Sequence, residues 1–167
     1  MLTVRELREL AARLDEAAFA KQLGPFVLVE RPFKKERKSG SLDLTPKTTR
    51  PLKGSRATKG VLDFDDLWVA TLPPLRDDDE VLIGRTADCD VMLDEGTVSK
   101  HHATIRWKKK KHAELEDLGS SNGTLLNGTK APPHQGLRLE DNDALDFGAV
   151  RVLFLEVATL RRRMGFP

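Results

Sequence analysis

The second half of the chain consists of short segments in which apolar and polar residues alternate. Turn-forming residues separate the segments, and residues 103–107 show the pattern clearly, with Thr104 and Arg106 between apolar neighbours. Alternation of this kind indicates a strand with one buried face. The predicted strands are residues 67–72, 81–83, 91–93, 103–107, 113–118, 124–126, 137–139, 144–147 and 150–155. So many short strands at close spacing predict a mainly β protein with a β-sandwich.

The amino-terminal segment shows helical spacing instead. Its periodic apolar positions, within a helix predicted over residues 3–23, are Leu7, Leu10, Leu14 and Ala17 or Ala18. Thr3 followed by Glu6 is a capping-box pattern, and Gly24 with the proline after it marks a helix end. An apolar run at residues 26–29 then predicts a short strand. We expect residues 1–30 either to pack on the main domain or to serve for docking or dimerisation.

Charge divides the chain into further parts. Residues 1–60 hold 14 Lys and Arg against 7 Asp and Glu, whereas residues 61–157 hold 11 against 19. Residues 31–60 are basic, polar and poor in apolar side chains, so we expect a flexible, extended linker there. The strands within residues 61–157 then form the main domain. Residues 158–167 form a basic tail that either docks or frays.

Composition indicates the cellular compartment in which the protein is expected. The chain of 167 residues has one cysteine, Cys89, so no internal disulfide can form, which suits a reducing compartment. The amino terminus is charged and lacks the apolar core of a signal peptide. No run approaches the roughly 18 apolar residues that a membrane span needs. We therefore predict a cytoplasmic protein.

Three short motifs lie at turns between the predicted strands. They are Gly84-Arg85, a Ser-Lys-His-His segment at 99–102, and a Ser-Ser-Asn-Gly-Thr segment at 120–124 with an Asn-Gly pair behind it. Together they supply a guanidinium, hydroxyl donors and an amide. A phosphorylated side chain carries nearly two negative charges and three acceptor oxygens, which such donors bind by charge-assisted hydrogen bonds. The set therefore predicts phosphate binding without cleavage.

In their order and spacing, these motifs resemble the forkhead-associated (FHA) family over about residues 66–157. Ser99 follows Arg85 by 14 residues, and Ser121 follows Ser99 by 22. The resemblance implies a sandwich of two antiparallel sheets whose loops at one end bind phosphothreonine in a partner protein.

The resemblance also assigns roles to individual residues. It implies that Arg85, Ser99 and Ser121 contact the phosphate. It implies that Lys100 and Asn122 contact the bound peptide. The residues that it assigns to shaping and bracing the loops are Gly84, His102, Gly123 and Asn127.

The resulting prediction is a non-catalytic adaptor that binds phosphothreonine in a Ser/Thr kinase or in a substrate of that kinase. The alternative is a structural assembly protein that uses the sandwich for phosphate-independent subunit contacts. No nucleotide-binding loop, kinase Lys/Asp set or Gly-x-Ser-x-Gly pattern occurs, so we expect neither an enzyme nor a cofactor. Thr49 and Thr58 are possible phosphorylation sites, and a phosphorylated Thr49 would bind the domain of the same chain or of a second copy, whereas Thr58 lies too close to the first strand to suit this role as well.

Two further features, a pair of histidines and a run of lysines, resemble a metal site and a nucleic-acid site but have structural explanations. His101 and His102 are adjacent on a predicted strand and point to opposite faces, and Cys89 shows no zinc-type spacing, so no metal site is expected. The four lysines at 108–111 predict a solvated hairpin turn rather than a nucleic-acid site.

Overall fold

The computed structural model describes residues 1–31, 65–72, 80–108 and 112–167. The helices within these ranges are α1 (Val4–Arg13), α2 (Glu16–Leu23) and α3 (Val157–Arg163). The strands are β1 (Leu2–Thr3), β2 (Phe26–Glu30), β3 (Trp68–Leu72), β4 (Glu80–Gly84), β5 (Val91–Met92), β6 (Ala103–Lys108), β7 (His112–Asp117), β8 (Thr124–Leu126), β9 (Thr129–Lys130), β10 (Leu137–Leu139), β11 (Ala144–Phe147) and β12 (Val150–Glu156). Every predicted strand is present, with its ends within one residue of the prediction, whereas β1 and β9 were not predicted.

Two sheets form a sandwich, as the sequence predicted. One sheet has seven strands in the order β1-β3-β2-β12-β11-β8-β9, and the other has five in the order β10-β7-β6-β4-β5. Their pairing is antiparallel except between β4 and β5, where Ile83 lies opposite Val91 in parallel. This departs from the expected antiparallel sheets because the loop at 85–90 carries the chain back along β4. The Asp90 carboxylate accepts the Leu82 amide hydrogen at 2.8 Å and holds the returning chain in place.

The strand β2 lies inside the main sheet rather than beside it. It pairs with β12 on one side and β3 on the other. Phe26 and Leu28 join the core between the two sheets, whereas Val27 and Val29 join a second core that includes helix residues. The seven-stranded sheet is thus buried on both faces around β2. Residues 1–30 are therefore part of the sandwich and of the helical layer that covers it, and not a separate element.

Two helices replace the single helix predicted near the amino terminus. The capping box at Thr3 is confirmed at the start of α1. A second cap, Asp15, accepts the Ala18 amide hydrogen at 2.7 Å and begins α2. The prediction of a single helix was wrong because the regular spacing of the leucines gave no sign that a second helix begins here. The break lets both Leu7 and Phe19 reach 0% exposure in the same apolar core.

The predicted basic tail is a packed helix and does not fray. Arg161 in α3 is only 7% exposed. Its guanidinium donates to the Ala11 carbonyl oxygen at 3.0 Å and to the Pro167 oxygen at 2.9 Å. The same group lies 5.6 Å from the ring centroids of Phe19 and Phe166. This buried cation therefore joins the carboxyl terminus to both amino-terminal helices.

Candidate functional site

The absence of a side chain at Gly84 allows two loops to meet at the carboxyl end of β4. A Cβ atom at this position would lie 2.1 Å from the Lys100 carbonyl oxygen, which no side chain can tolerate. The next amide, that of Arg85, donates to the carbonyl oxygens of Ser99 at 3.0 Å and Lys100 at 3.1 Å. These contacts fix the backbone of Arg85 beside that of Ser99. Both residues are predicted to contact the phosphate.

Two cationic side chains border this junction. Arg85 is half-buried and Lys100 is exposed. Within the described residues, neither side chain forms a hydrogen bond or an ion pair. Hydrogen bonds from Thr97, with a smaller contribution from the charge of Arg85, lower the pKa of Glu95. The Arg85 guanidinium can therefore turn toward an anionic ligand without breaking an existing contact.

The hydroxyl groups of Ser99 and Ser121 lie next to each other. The Ser121 amide donates to Ser99 Oγ at 3.0 Å, and the two Oγ atoms are 3.5 Å apart. Ser99 is half-buried and Ser121 is exposed. Because a hydroxyl hydrogen rotates freely, both groups can donate to the oxygens of one phosphate.

His102 lies buried beneath these loops. The Ser99 amide donates to Nδ1 of the ring at 3.0 Å, so that nitrogen carries no hydrogen. Nε2 then carries the hydrogen and donates it to the Gly123 carbonyl oxygen at 3.3 Å. Burial lowers the pKa of His102, against the opposing effects of Gly123 and the Asp117 charge, and favours the neutral ring. The side chain thus connects the Ser99 loop to the Gly123 turn.

A buried carboxylate, Asp117, organises the loop that carries Ser121. This residue is 1% exposed. Its Oδ1 accepts the amide hydrogens of Gly119 and Ser120, both at 2.9 Å. Its Oδ2 accepts the hydroxyl hydrogens of Ser120 and Thr124, both at 2.6 Å. Burial alone would raise the pKa of Asp117, but these hydrogen bonds together lower it.

Thr97 joins three loops at the edge of the site. The Asn122 Nδ2 group donates to its carbonyl oxygen at 2.7 Å, and the Ala149 amide donates to its Oγ1 at 2.7 Å. A Cβ atom at Gly148 would lie 2.6 Å from the same carbonyl oxygen, so the β11–β12 turn packs tightly here. The bond to Thr97 holds the Asn122 side chain in place and leaves its second Nδ2 hydrogen and its Oδ1 for a peptide contact.

Asn127 lies outside this cluster and holds a neighbouring hairpin. It adopts φ 52°, its Nδ2 donates to Asp143 at 2.8 Å, and its Oδ1 accepts the Ala144 amide hydrogen at 2.9 Å. The other predicted loop glycine, Gly123, has φ +79°, and a Cβ there would meet the Lys130 side chain at 2.7 Å. Lys130 therefore packs against the Gly123 turn, a placement that the motif pattern did not predict.

Unlike the buried His102, His101 faces solvent, although both residues precede β6 and neither lies in a strand. It is exposed, and its Nε2 lies 2.6 Å from Asp88 Oδ2. Hydrogen bonds from Thr86 and then from His101 lower the pKa of Asp88 to about 2. Cys89 is buried beside this pair.

Some of the predicted features lie outside the described residues. They are the linker with Thr49 and Thr58, and the lysines at 109–111. Within the described ranges, no helix is long and apolar enough to cross a membrane.

Comparison with known proteins supports the resemblance found in the motifs. Residues 81–148 match the family model of the FHA domain. The chain therefore contains a domain of the FHA family. The FHA domain of the CT664 protein from Chlamydia trachomatis shares the fold, with a TM-score of 0.53 and 17% identity, over 78% of this chain and 96% of that one.

Curated relatives match a similar part of the chain. The oxoglutarate dehydrogenase inhibitor of Corynebacterium jeikeium is 36% identical over 81 residues, which are 48% of this chain and 54% of that protein. The glycogen accumulation regulator GarA of Mycobacterium tuberculosis is 36% identical over 72 residues, which are 43% of this chain and 42% of that protein. The chain thus spans about half the length of these relatives.

Proposed function

We propose that this chain is a non-catalytic adaptor that binds phosphothreonine in a partner protein. The observation that carries the proposal is the convergence of Arg85, Ser99 and Ser121 at one end of the sandwich. The Arg85 amide contacts the Ser99 carbonyl, and the Ser121 amide contacts the Ser99 hydroxyl. Three segments distant in sequence therefore meet here, and their side chains carry one guanidinium and two hydroxyl groups.

The chemistry of this set suits a phosphate monoester. A guanidinium provides charge and paired donors, while the two hydroxyl groups add single donors. Each hydrogen bond to a charged group contributes roughly 1.5–3 kcal/mol. Three such contacts, after the cost of ordering a peptide, are compatible with micromolar affinity, about −8 kcal/mol. No nucleophile with an adjacent general base is part of this set, which favours binding over hydrolysis.

The names of the relatives support a regulatory role. One is called an inhibitor of oxoglutarate dehydrogenase and another a regulator of glycogen accumulation. By analogy, we infer a cytoplasmic protein that acts through a protein phosphorylated by a Ser/Thr kinase. Thr49 and Thr58 remain possible phosphorylation sites, through which a second copy or the same chain would occupy the site.

A paired titration tests the proposal. A degenerate phosphothreonine peptide library is first screened on the full chain, and the best peptide is then titrated beside its unphosphorylated twin. We expect micromolar binding of the phosphopeptide and at least about tenfold weaker binding of the twin. Equal binding of the two peptides would contradict the proposal. Phosphate-independent oligomers in a mass measurement would then favour the structural assembly role.

A further inference from the structure

Three side chains with metal-ligating atoms meet beside the loop between β4 and β5. Asp88 and Cys89 belong to this loop, and His101 precedes β6. One ligand atom from each residue, a carboxylate oxygen, Sγ and a ring nitrogen, lies within 4.8 Å of the other two. The His101 and Asp88 side chains are 52% and 62% exposed, whereas Cys89 is 8% exposed. The arrangement therefore combines a buried sulfur with two exposed ligand groups.

We propose that Asp88, Cys89 and His101 bind a divalent transition-metal ion of the zinc class. Thiolate, imidazole and carboxylate are the ligands that zinc accepts, and three of them leave a fourth position for water. The ligand atoms of a tetrahedral zinc lie about 3–4 Å apart. The present separations range from 2.6 Å, between His101 Nε2 and Asp88 Oδ2, up to 4.8 Å, so rotations of these two exposed side chains must widen the first distance and shorten the longer ones. This site goes beyond phosphopeptide binding and does not depend on it.

Cys89 donates as a thiol in this structure and would bind an ion as a thiolate. Its Sγ donates to the Lys100 carbonyl oxygen at 3.2 Å. On metal binding, the S–H bond breaks, the proton leaves to solvent, and the sulfur lone pair forms the bond to the ion. The Lys100 carbonyl keeps two other donors, the Thr86 hydroxyl at 3.0 Å and the Arg85 amide at 3.1 Å. Loss of the thiol hydrogen therefore leaves that carbonyl paired.

The imidazole of His101 is also placed for this role. Its Nε2 faces Asp88 Oδ2 at 2.6 Å, so the two ligand atoms already share one contact. For an ion to lie between them, the Nε2 proton leaves to solvent and the neutral ring carries its hydrogen on Nδ1, so that the Nε2 lone pair and the Asp88 oxygen both bind the ion. The ion would also connect the 85–90 loop to the residues that follow Ser99. It would therefore restrain the two loops that carry Arg85 and Ser99.

Metal titrations of the full chain test this site. Protein freed of metal with a chelator is titrated with Zn²⁺ by calorimetry and with Co²⁺ by absorption, which reports a thiolate–cobalt bond directly. We expect one equivalent of ion and a thiolate–cobalt band. His101→Ala and Asp88→Asn should each weaken Zn²⁺ binding at least about tenfold, and Cys89→Ser should abolish the band. The matched controls are His112→Ala and Asp94→Asn, which change an exposed histidine and an exposed aspartate elsewhere.

Several outcomes would overturn the site. Wild-type protein that gives no thiolate–cobalt band would exclude Cys89 as a ligand. Zinc affinity that is the same in His101→Ala as in wild type would place the ion elsewhere, and this variant remains informative if Cys89→Ser fails to fold. Equal weakening by the control His112→Ala would indicate nonspecific surface binding and would also overturn the proposal.

Discussion

Replacing Arg85 with alanine is expected to weaken phosphothreonine-peptide binding at least about tenfold, or about 1.4 kcal/mol. The side chain is half-buried, and within the described ranges it has no hydrogen bond or ion pair of its own. Its backbone is held by Ser99 and Lys100, so truncation removes the guanidinium without moving the loop. Calorimetric titration of the phosphopeptide measures the loss.

Two matched variants make the Arg85 result specific. Arg138→Ala removes the same charge from an exposed position in strand β10 and should leave the affinity unchanged. Arg85→Lys keeps the charge but loses the planar paired donors, so an intermediate affinity is expected. Equal losses in Arg85→Ala and Arg138→Ala would mean that net charge alone attracts the peptide, and the assigned role of Arg85 would be wrong.

Replacing Asp117 with alanine should lower the free energy of unfolding by about 3 kcal/mol, since each buried donor left without an acceptor costs roughly 1–3 kcal/mol. The carboxylate accepts four hydrogen bonds, and Thr124, one of its donors, is 0% exposed. Denaturant unfolding measures the change. The exposed carboxylate Asp94 provides the control, because Asp94→Ala should alter stability by less than about 0.5 kcal/mol.

The stabilisation by Asp117 should also depend on pH. Because folding lowers the pKa of Asp117 below its ordinary value of 3.8, the ionised carboxylate stabilises the folded state at pH values above that number. This stabilisation is lost as the pH falls through the folded-state pKa. The difference in Tm between wild type and Asp117→Asn should therefore be complete above about pH 5 and shrink in more acidic solution. A difference that is constant down to pH 2 would contradict this assignment.

Local alternation was sufficient to predict the strands of the sandwich. In β7, Ala113 and Leu115 are buried and Glu114 between them is exposed, as the alternation predicted, and strand ends coincide with turn residues. In β6 the alternation does not identify an exposed face, because Thr104 is only 2% exposed, like its apolar neighbours. The phosphate motifs were also predictable because each is a short segment with its own turn chemistry. Backbone contacts join Arg85 to Ser99 and Ser121 to Ser99 in the structure, and the binding of phosphate by these residues stays a prediction.

Contacts between distant segments could not be predicted in this way. β2 pairs with β12, which lies more than a hundred residues later, and no local pattern specifies that partner. Asp117 lies in a predicted strand, and no local pattern indicates that four donors from the following turn surround its carboxylate. Likewise, Asp88 and His101 are far apart in sequence, and only the close approach of two loops at Gly84 brings them together.

Backbone amide chemical shifts provide the most direct test of the claim that these loops bind phosphothreonine. The isotope-labelled full chain is titrated with the selected phosphopeptide and then with its unphosphorylated twin. We predict that the amides of Arg85, Ser99, Ser121 and Asn122 shift with the phosphopeptide alone, while that of Leu7 in the helical layer does not. Identical shifts with both peptides, or shifts confined to the helical layer, would contradict the account.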